Sequence, residues 1–253
     1  MDKSVYKIGK DEVNKFIVKC SYGENAPEWP RATIVLSKVD IYYTKSSRTS
    51  NKEYGRFMIN IYRNGWLHAE NYFLTDLREE IDILSKDKKI YKIQAGIVQN
   101  YSPCNNYSGD SGCADDILKF KEDMENRDIN FSLTIKFANF YRHYLLSNRA
   151  GLQKLIKNNV NLQVFQGKQD WKEFLNDENF VNLTNDDKIE LLKRATSEER
   201  VKREKIDKNI LKDITAWAKY NNAESDVEDL KTKLMMMILM IIMMMIMMMV
   251  FNY

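Results

Sequence analysis

The feature that most constrains the fold is an alternation of strand-like and helix-like runs between residues 32 and 177. The first two runs, "ATIVLSKVDIYY" (32–43) and "RFMINIYR" (56–63), are rich in β-branched and aromatic residues, and the Ser/Thr/Asn turn between them predicts a hairpin. Apolar spacing predicts further strands at 89–98, 131–141 and 160–165, and helices at 68–84, 112–124, 151–159 and 170–177. This order indicates an α/β layer fold with crossover connections.

Composition divides the chain into three parts. Residues 1–180 have the pattern of a globular domain with an N-terminal helix, 181–232 form a highly charged helical region whose polar faces we expect to be solvated, and 233–253 are a Met-rich apolar tail. The net charge of +3 provides no global basic field. Three cysteines make no paired disulfide framework, and the N-terminus lacks a signal-peptide pattern. We therefore expect a reducing compartment, the cytoplasm and/or the nucleus.

Two short motifs carry residue types that bind zinc. His68 begins a predicted helix with Glu70 two positions later, while Cys104 follows Pro103 and Cys113 begins another predicted helix. A catalytic zinc prefers thiolate and imidazole ligands and keeps three of them with one open position. Helix N-termini also favour the thiolate form of cysteine. We expect these two cysteines and His68 to hold one Zn²⁺, with a water of pKa roughly 7 in the fourth position.

Glu70 is the expected proton carrier, because it can sit beside the metal without ligating it. Taken alone, each motif also fits a packed histidine or ordinary buried thiols. Taken together and in this order, they resemble the His-x-Glu and Pro-Cys signature of zinc nucleobase deaminases, in which the glutamate is a general acid and base.

The similarity extends from about residue 31 to 178, over which the chain resembles the AID/APOBEC family of polynucleotide cytidine deaminases. "NYSPC" resembles the family's Ser-Trp-Ser-Pro-Cys, with Tyr101 in the tryptophan position. "CADDILKF", "LTIKFANFYRH", "GLQKLIKNNVNLQVF" and "DWKEFLND" resemble the following helices and strands in family order. The eight residues between the cysteines, "NNYSGDSG", replace the usual two to four. We expect an outward loop to absorb them.

The resemblance implies a cytidine-deaminase-like α/β fold, with a mixed five-stranded sheet, about six flanking helices and parallel last strands. Free-nucleoside deaminases usually join these last strands as an antiparallel hairpin. It also implies that Tyr141 packs on the target cytosine, that Asn64 contacts the sugar and that Arg31 lies near the substrate groove. The loop at 139–150 supplies cations and aromatic rings suited to a nucleic-acid strand. The full set of implied substrate-binding residues is Arg31, Asn64, Ala69, Tyr101, Ser102, Pro103, Tyr141, Arg142, His143 and Tyr144.

The implied activity is zinc-dependent deamination of cytosine to uracil in single-stranded DNA or RNA, since a base inside a duplex is inaccessible. Two alternatives stay open. One is a free (deoxy)cytidine or dCMP deaminase, against which the long loop and the parallel layout argue. The other is a catalytically silent nucleic-acid-binding paralogue, against which the presence of all three ligands and the glutamate argues.

The apolar tract from Leu234 to Phe251 would extend roughly 27 Å as a helix, just short of an average hydrocarbon core. One interpretation is a tail anchor that contacts a membrane and leaves the catalytic domain facing the cytosol. The other is a translated trinucleotide repeat, because Met, Ile, Leu, Val, Lys and Thr codons can each lie one base from ATG. In both cases the tract is expected to contribute nothing to the chemistry.

Truncation after Lys233 is therefore expected to yield a soluble protein with undiminished deamination. The full-length chain is expected to partition with membranes or pellets, because so apolar a segment avoids water. Fractionation and a deamination assay on both chains check this. A soluble, monomeric full-length protein that loses its activity on truncation would instead show that the tract packs on the domain.

Overall fold

The computed structural model describes residues 2–3, 7–20, 33–45, 53–63, 67–105 and 112–220. The Met-rich tail and the predicted substrate-binding residues Arg31 and Asn64 lie outside these ranges. Within the described ranges, no helix combines the length and the apolar character that a membrane crossing requires.

A mixed six-stranded sheet, in the order β1-β4-β3-β5-β6-β7, forms the centre of the described structure. Its strands, in chain order, are β1 (Asp2–Lys3), β3 (Ile34–Lys45), β4 (Glu53–Arg63), β5 (Lys88–Tyr101), β6 (Asn130–Asn139) and β7 (Asn161–Val164), while β2 (Ile8–Gly9) and β8 (Val181–Asn182) form a separate pair. Strand β3 pairs antiparallel with β4 and β5. Strands β5, β6 and β7 run parallel. The predicted α/β class with parallel last strands is confirmed, and a two-residue edge strand, β1, adds to the five strands expected.

The described residues contain seven helices, close to the six expected. They are α1 (Lys10–Cys20), α2 (Ala69–Leu84), α3 (Cys113–Asn126), α4 (Leu146–Lys157), α5 (Gly167–Asn176), α6 (Asn185–Ala195) and α7 (198–220). Helix α4 begins five residues before the predicted start at 151. The last part of the loop predicted at 139–150 is therefore the first helical turn of α4.

The two faces of the sheet are covered by different helices because side chains along a strand alternate between faces. On one face, Ile93, Ala95 and Ile97 of β5 belong to a core cluster that also contains buried residues of α2 and α3. On the other face, Trp171 of α5 stacks on Phe165, with 3.9 Å between ring centroids, in a second cluster with α1. Each fully buried large side chain contributes about 1.5–3 kcal/mol.

The parallel pairing of β5 and β6 places the carboxyl ends of both strands at one edge of the sheet. Tyr101, the last residue of β5, is in register with Asn139, the last residue of β6. The backbone N–H of Ser102 then donates to the carbonyl of Asn139 at 2.8 Å. The segments that follow these two strands, which carry Cys104 and Tyr141, therefore leave the sheet side by side.

Helix α7 buries charged side chains, which the sequence analysis did not expect. Arg200, Glu204 and Asp207 are each 5% exposed or less, and Ile214 continues the same buried face. The expectation that the polar faces of this region are solvated is wrong for these three residues, because each has a partner in the sheet domain or on its own helix; Trp171, for example, donates to Glu204 at 2.8 Å. The domain boundary after residue 180 stays a prediction.

Candidate active site

Three potential metal ligands, His68, Cys104 and Cys113, converge beside the carboxyl end of β5. The Nδ1 atom of His68 lies 3.1 Å from Sγ of Cys113 and 3.3 Å from Sγ of Cys104, and the two sulfur atoms lie 3.5 Å apart. Among the described residues, no other group of three His, Cys, Asp or Glu side chains has its ligand atoms this close together. The eight-residue spacing between the cysteines therefore does not separate them.

Two helix N-termini position these ligands. His68 is the N-cap residue of α2, and Cys113 is the first residue of α3. The backbone N–H of Ala114 donates to the carbonyl of Cys104 at 2.9 Å, which fixes the first cysteine beside the helix that carries the second. Asn71 of α2 donates to Asp116 of α3 at 2.7 Å and joins the first turns of both helices.

The separations fit a tetrahedral zinc. With bonds of about 2.3 Å to sulfur and about 2.0 Å to nitrogen, a tetrahedron holds two sulfurs about 3.8 Å apart and sulfur and nitrogen about 3.5 Å apart. The three observed separations are within about 0.4 Å of these values. The donor set of one imidazole and two thiols is also the one that zinc prefers. The residues present therefore fit the ion.

The pKa of the Cys104 thiol also favours the binding of a cation at these three side chains, because a lowered pKa makes the thiolate available. Hydrogen bonds with Cys113 and His68 hold the pKa of the Cys104 thiol well below its usual range. The hydrogen bond with Cys104, together with burial, raises the pKa of Cys113. A metal ion bound here would be held by both sulfurs as thiolates, so binding would displace whatever thiol proton the pair retains.

Glu70 lies within this group but is not part of the ligand triangle. Its side chain is buried, with 3% of the residue exposed, and its Oε2 atom has no hydrogen-bond partner among the described residues. Burial raises the pKa of the Glu70 carboxyl to about 7. A buried carboxyl oxygen without a partner is costly, so its presence beside three ligand atoms marks a site that is completed by something that binds there.

The residues after β5 and β6 form a wall next to the ligands. The buried ring of Tyr101 packs edge-on against Tyr141, with 5.9 Å between ring centroids. The hydroxyl oxygen of Ser102 accepts a hydrogen bond from the backbone N–H of Tyr141 at 3.0 Å. Pro103 is buried and Tyr141 is partly exposed. The ring of Tyr141 is therefore held by backbone contacts while one side of it stays accessible.

The loop after β6, residues 140–145, presents exposed groups on a fixed backbone. Arg142 has a positive φ of 40°, in the left-handed region that residues other than glycine rarely adopt. Asn148 donates to the carbonyl of Arg142 at 3.2 Å, and Arg149 donates to the carbonyl of His143 at 2.8 Å. Tyr144 is 68% exposed. Such a strained residue persists only where its surroundings hold it, and strained residues cluster at functional sites.

Asn148 and Gly151 contribute to the site but were not singled out from the sequence. The buried side chain of Asn148 accepts a hydrogen bond from the backbone N–H of Asn105, the residue after Cys104, at 2.8 Å. A Cβ atom at Gly151 would lie 2.5 Å from Cβ of Asn105 and 3.1 Å from Cβ of Ala114. In the sequence, Gly151 is the first residue of the helix predicted at 151–159, and a glycine at that position gave no signal of this close approach.

The structure gathers most of the predicted site residues at this edge of the sheet. Ala69 is buried between the histidine and the glutamate. Because Arg31 and Asn64 are outside the described ranges, their contacts with substrate stay predictions. The predicted residues that the structure places at this edge are His68, Ala69, Glu70, Tyr101, Ser102, Pro103, Cys104, Cys113, Tyr141, Arg142, His143 and Tyr144.

Comparisons with known proteins give the family. The chain is similar to two solved structures of Acinetobacter baumannii RibD, form 1 and form 2, at 14% and 13% sequence identity with TM-scores of 0.30 and 0.29. Each alignment covers 61% of this chain, which spans about a third, 33%, of the RibD chain. A comparison with curated proteins finds no match. The family model described as APOBEC3, cytosine deaminase domain, matches residues 31–198. This range is more than half of the chain and contains the ligand triangle and Glu70, and the chain therefore belongs to the APOBEC3 cytosine deaminase domain family.

Proposed function

We propose that this protein deaminates cytosine to uracil in single-stranded DNA or RNA, with zinc held by His68, Cys104 and Cys113. The observation that carries the proposal is the buried, unpartnered carboxyl oxygen of Glu70 beside those three ligand atoms. Family membership supports deamination in general. The position of Glu70 supports hydrolysis, because a water molecule that adds to a ring carbon needs a base next to it.

The reaction assigns Glu70 two proton transfers. Its carboxylate takes one proton from the attacking water and gives it to N3 of the cytosine as the water oxygen bonds to C4. It then takes the second proton of that oxygen to the exocyclic amine, the C4–N4 bond breaks, and ammonia leaves uracil behind. When zinc is bound, it supplies Lewis-acid activation that brings the pKa of the water to roughly 7. Burial keeps bulk water from competing for the carboxylate.

The loop at 140–145 supports a polymer as substrate. Tyr141 offers a ring next to the ligands, and the guanidinium of Arg142 lies 5.4 Å from the centroid of that ring. The ring of Tyr144 is exposed and free to stack on a second base. Burial lowers the pKa of His143, and the charges of Arg203 and Arg149 lower it further. His143 is thus neutral near pH 7 and offers an aromatic face, while Arg142 supplies the cation for a phosphate.

The two alternatives are a free-nucleotide deaminase and a catalytically silent paralogue. The first differs from the proposal in the use of the loop at 140–145, and the second differs in the need for Glu70. A free-nucleotide deaminase would not use the strained, solvent-facing Arg142 and the exposed Tyr144. A silent paralogue would not need a buried carboxylate at Glu70, which costs free energy without a partner. Both features are present, so the observations favour a catalyst that acts on a strand.

We expect one zinc per chain in the wild type and background zinc in Cys113→Ala, because a two-ligand site binds zinc far more weakly than a three-ligand site. Metal analysis of the purified proteins measures this. Cys20→Ala is the matched control, since Cys20 is also a buried free cysteine but belongs to the core on the opposite face of the sheet. Stoichiometric zinc in Cys113→Ala would remove Cys113 from the site.

We expect Glu70→Gln to lower turnover of a cytosine oligonucleotide by on the order of 10²- to 10⁴-fold or more, because the amide cannot carry a proton. Its zinc content and thermal unfolding midpoint should match the wild type, since glutamine has nearly the same shape. Uracil formation in a zinc-loaded sample is the readout. A variant that retains at least a tenth of wild-type turnover would contradict the role given to Glu70. Such a variant would have lost at most about 1.4 kcal/mol of transition-state stabilisation, since that amount corresponds to one factor of ten in rate.

We expect alanine replacement of residues 142–146 to change which base is preferred 5′ to the edited cytosine, with zinc content and stability little affected. These residues include the exposed Arg142 and Tyr144 and the partly exposed His143, which follow Tyr141 in the loop. Sequencing of an edited pool of oligonucleotides measures the preference. A control with Lys193→Ala and Arg194→Ala removes exposed cations from α6, away from the loop. An unchanged preference would move specificity to Arg31 or to the insertion between the cysteines.

A further inference from the structure

Helix α7 begins at residue 198, where the match to the family model ends. Three charged side chains on one face of this helix, Arg200, Glu204 and Asp207, are buried. Their spacing of four and three residues places them on a single stripe, which continues through buried Ile214 and Ala218. A helix that only covered the sheet would have apolar residues along the whole stripe. The burial of charged residues at Arg200, Glu204 and Asp207 therefore indicates a further role for this part of the helix.

Arg200 contacts the end of β6. Its guanidinium donates to the carbonyl of Ala138 and, at 2.8 Å, to the side-chain oxygen of Asn139. The side-chain nitrogen of Asn139 in turn donates to the carbonyl of Asn100 in β5, at 3.2 Å. Arg200 therefore holds the last residues of β6 and, through Asn139, the neighbouring strand, immediately before the loop at 140–145.

Asp207 contacts the loop itself. Its Oδ1 atom accepts a hydrogen bond from the backbone N–H of Phe140, the first loop residue, at 3.4 Å. Arg203 donates to both carboxyl oxygens of Asp207, at 2.9 and 3.1 Å, and orients the carboxylate. The ring of Phe140 is fully buried and packs edge-on near His143, with 6.5 Å between centroids. A shift of Phe140 would therefore move His143 as well.

Glu204 connects the same stripe to α5. It accepts hydrogen bonds from Nε1 of Trp171 at 2.8 Å and from the backbone N–H of Gly167 at 2.7 Å, and it lies 3.3 Å from the guanidinium of Arg200. Trp171 is fully buried in the second core cluster. Glu204 thus links the three charged residues to the core through Trp171, while Asp207 links them to the loop through Phe140.

We propose that Arg200, Glu204 and Asp207, named here the α7 latch, are positioning residues that hold the loop at 140–145 in its base-contacting shape. Through that loop they set the preference for the base next to the target cytosine. This inference rests on the proposed function, in which the loop contacts the nucleic acid. The residues do not touch the substrate themselves.

A buried ionic network suits this task better than an apolar contact. Apolar side chains can shift slightly against one another at little cost in free energy. A buried charge that loses its partner costs much more, so the network favours a single arrangement of the groups that it joins. The loop needs such a support because Arg142 occupies the left-handed region and would relax if its neighbours could move. Asp207 of the latch accepts a hydrogen bond from the first residue of the loop. Asn148 of α4 and Ser102, the residue after β5, form hydrogen bonds with the loop backbone.

Three variants test the latch in the full-length, zinc-loaded protein. Asp207→Ala removes the acceptor for the N–H of Phe140, and Asp207→Asn restores an oxygen at the same place. Ile214→Ala is the matched control, since it creates a cavity on the same buried stripe without removing a hydrogen bond to the loop. Hydrogen–deuterium exchange of the 140–145 amides reports the loop without requiring activity. Sequencing of an edited oligonucleotide pool reports the base preference.

We expect Asp207→Ala to speed exchange of the loop amides by about tenfold and to flatten the base preference by a similar factor, as when a buried donor loses its acceptor. Asp207→Asn keeps an acceptor for Phe140 but loses the charge paired with Arg203, so it should fall between Asp207→Ala and wild type in both readouts. Ile214→Ala should lower the thermal midpoint and leave both readouts unchanged. Unchanged loop exchange in Asp207→Ala, or an equal loss of preference in Ile214→Ala, would overturn the proposal. A wild type that edits no oligonucleotide would overturn the proposed function, and the exchange readout would still decide whether Asp207 holds the loop.

Discussion

The site depends on the parallel pairing of β5 with β6, because this pairing places the ends of both strands at the same edge of the sheet. The hydrogen bond from Ser102 to the carbonyl of Asn139 continues the pairing one step beyond the strands. From there the chain after β5 leads to Cys104, and the chain after β6 leads to Tyr141. An antiparallel arrangement of β6 would bring the amino end of that strand to this edge and leave the ligands without the aromatic wall.

The proposed metal ligands and the proposed proton carrier, Glu70, need opposite surroundings, and the structure provides both. Cys104 gains a thiolate from hydrogen bonds with Cys113 and His68, so charge is stabilised where a cation would bind. Glu70 lies in the first turn of α2 and is buried, so its charge is disfavoured and its pKa is raised to about 7. A carboxyl that gains and loses a proton near neutral pH suits a group that must carry one.

Local sequence patterns predicted most of the helices and strands, and the three side chains expected to bind zinc do lie together. Phe73, Leu77, Ile81 and Leu84 of α2 were expected on one face and are all buried. Local patterns did not predict the start of α4 or the buried charges of α7, because contacts with residues distant in the sequence determine both. Helix α4 starts at Leu146 although its apolar spacing becomes clear only later, because Asn148 finds partners in the loops around it. The burial of Arg200, Glu204 and Asp207 in α7 was not predicted, because their partners outside the helix lie 33 to 67 residues away in the sequence. A repeating stripe that ends in Ile214 and Ala218 was the available signal.

The proposed action on cytosine in a single strand can be examined by offering the protein three forms of the same base. One zinc-loaded sample receives a cytosine oligonucleotide, the same oligonucleotide in a duplex, and free deoxycytidine, and uracil or deoxyuridine is measured in each. We expect conversion of the single strand, with the duplex and the free nucleoside essentially unchanged, because in the proposed function the loop at 140–145 contacts an accessible strand. Conversion of free deoxycytidine at a rate equal to or above that of the oligonucleotide would contradict it.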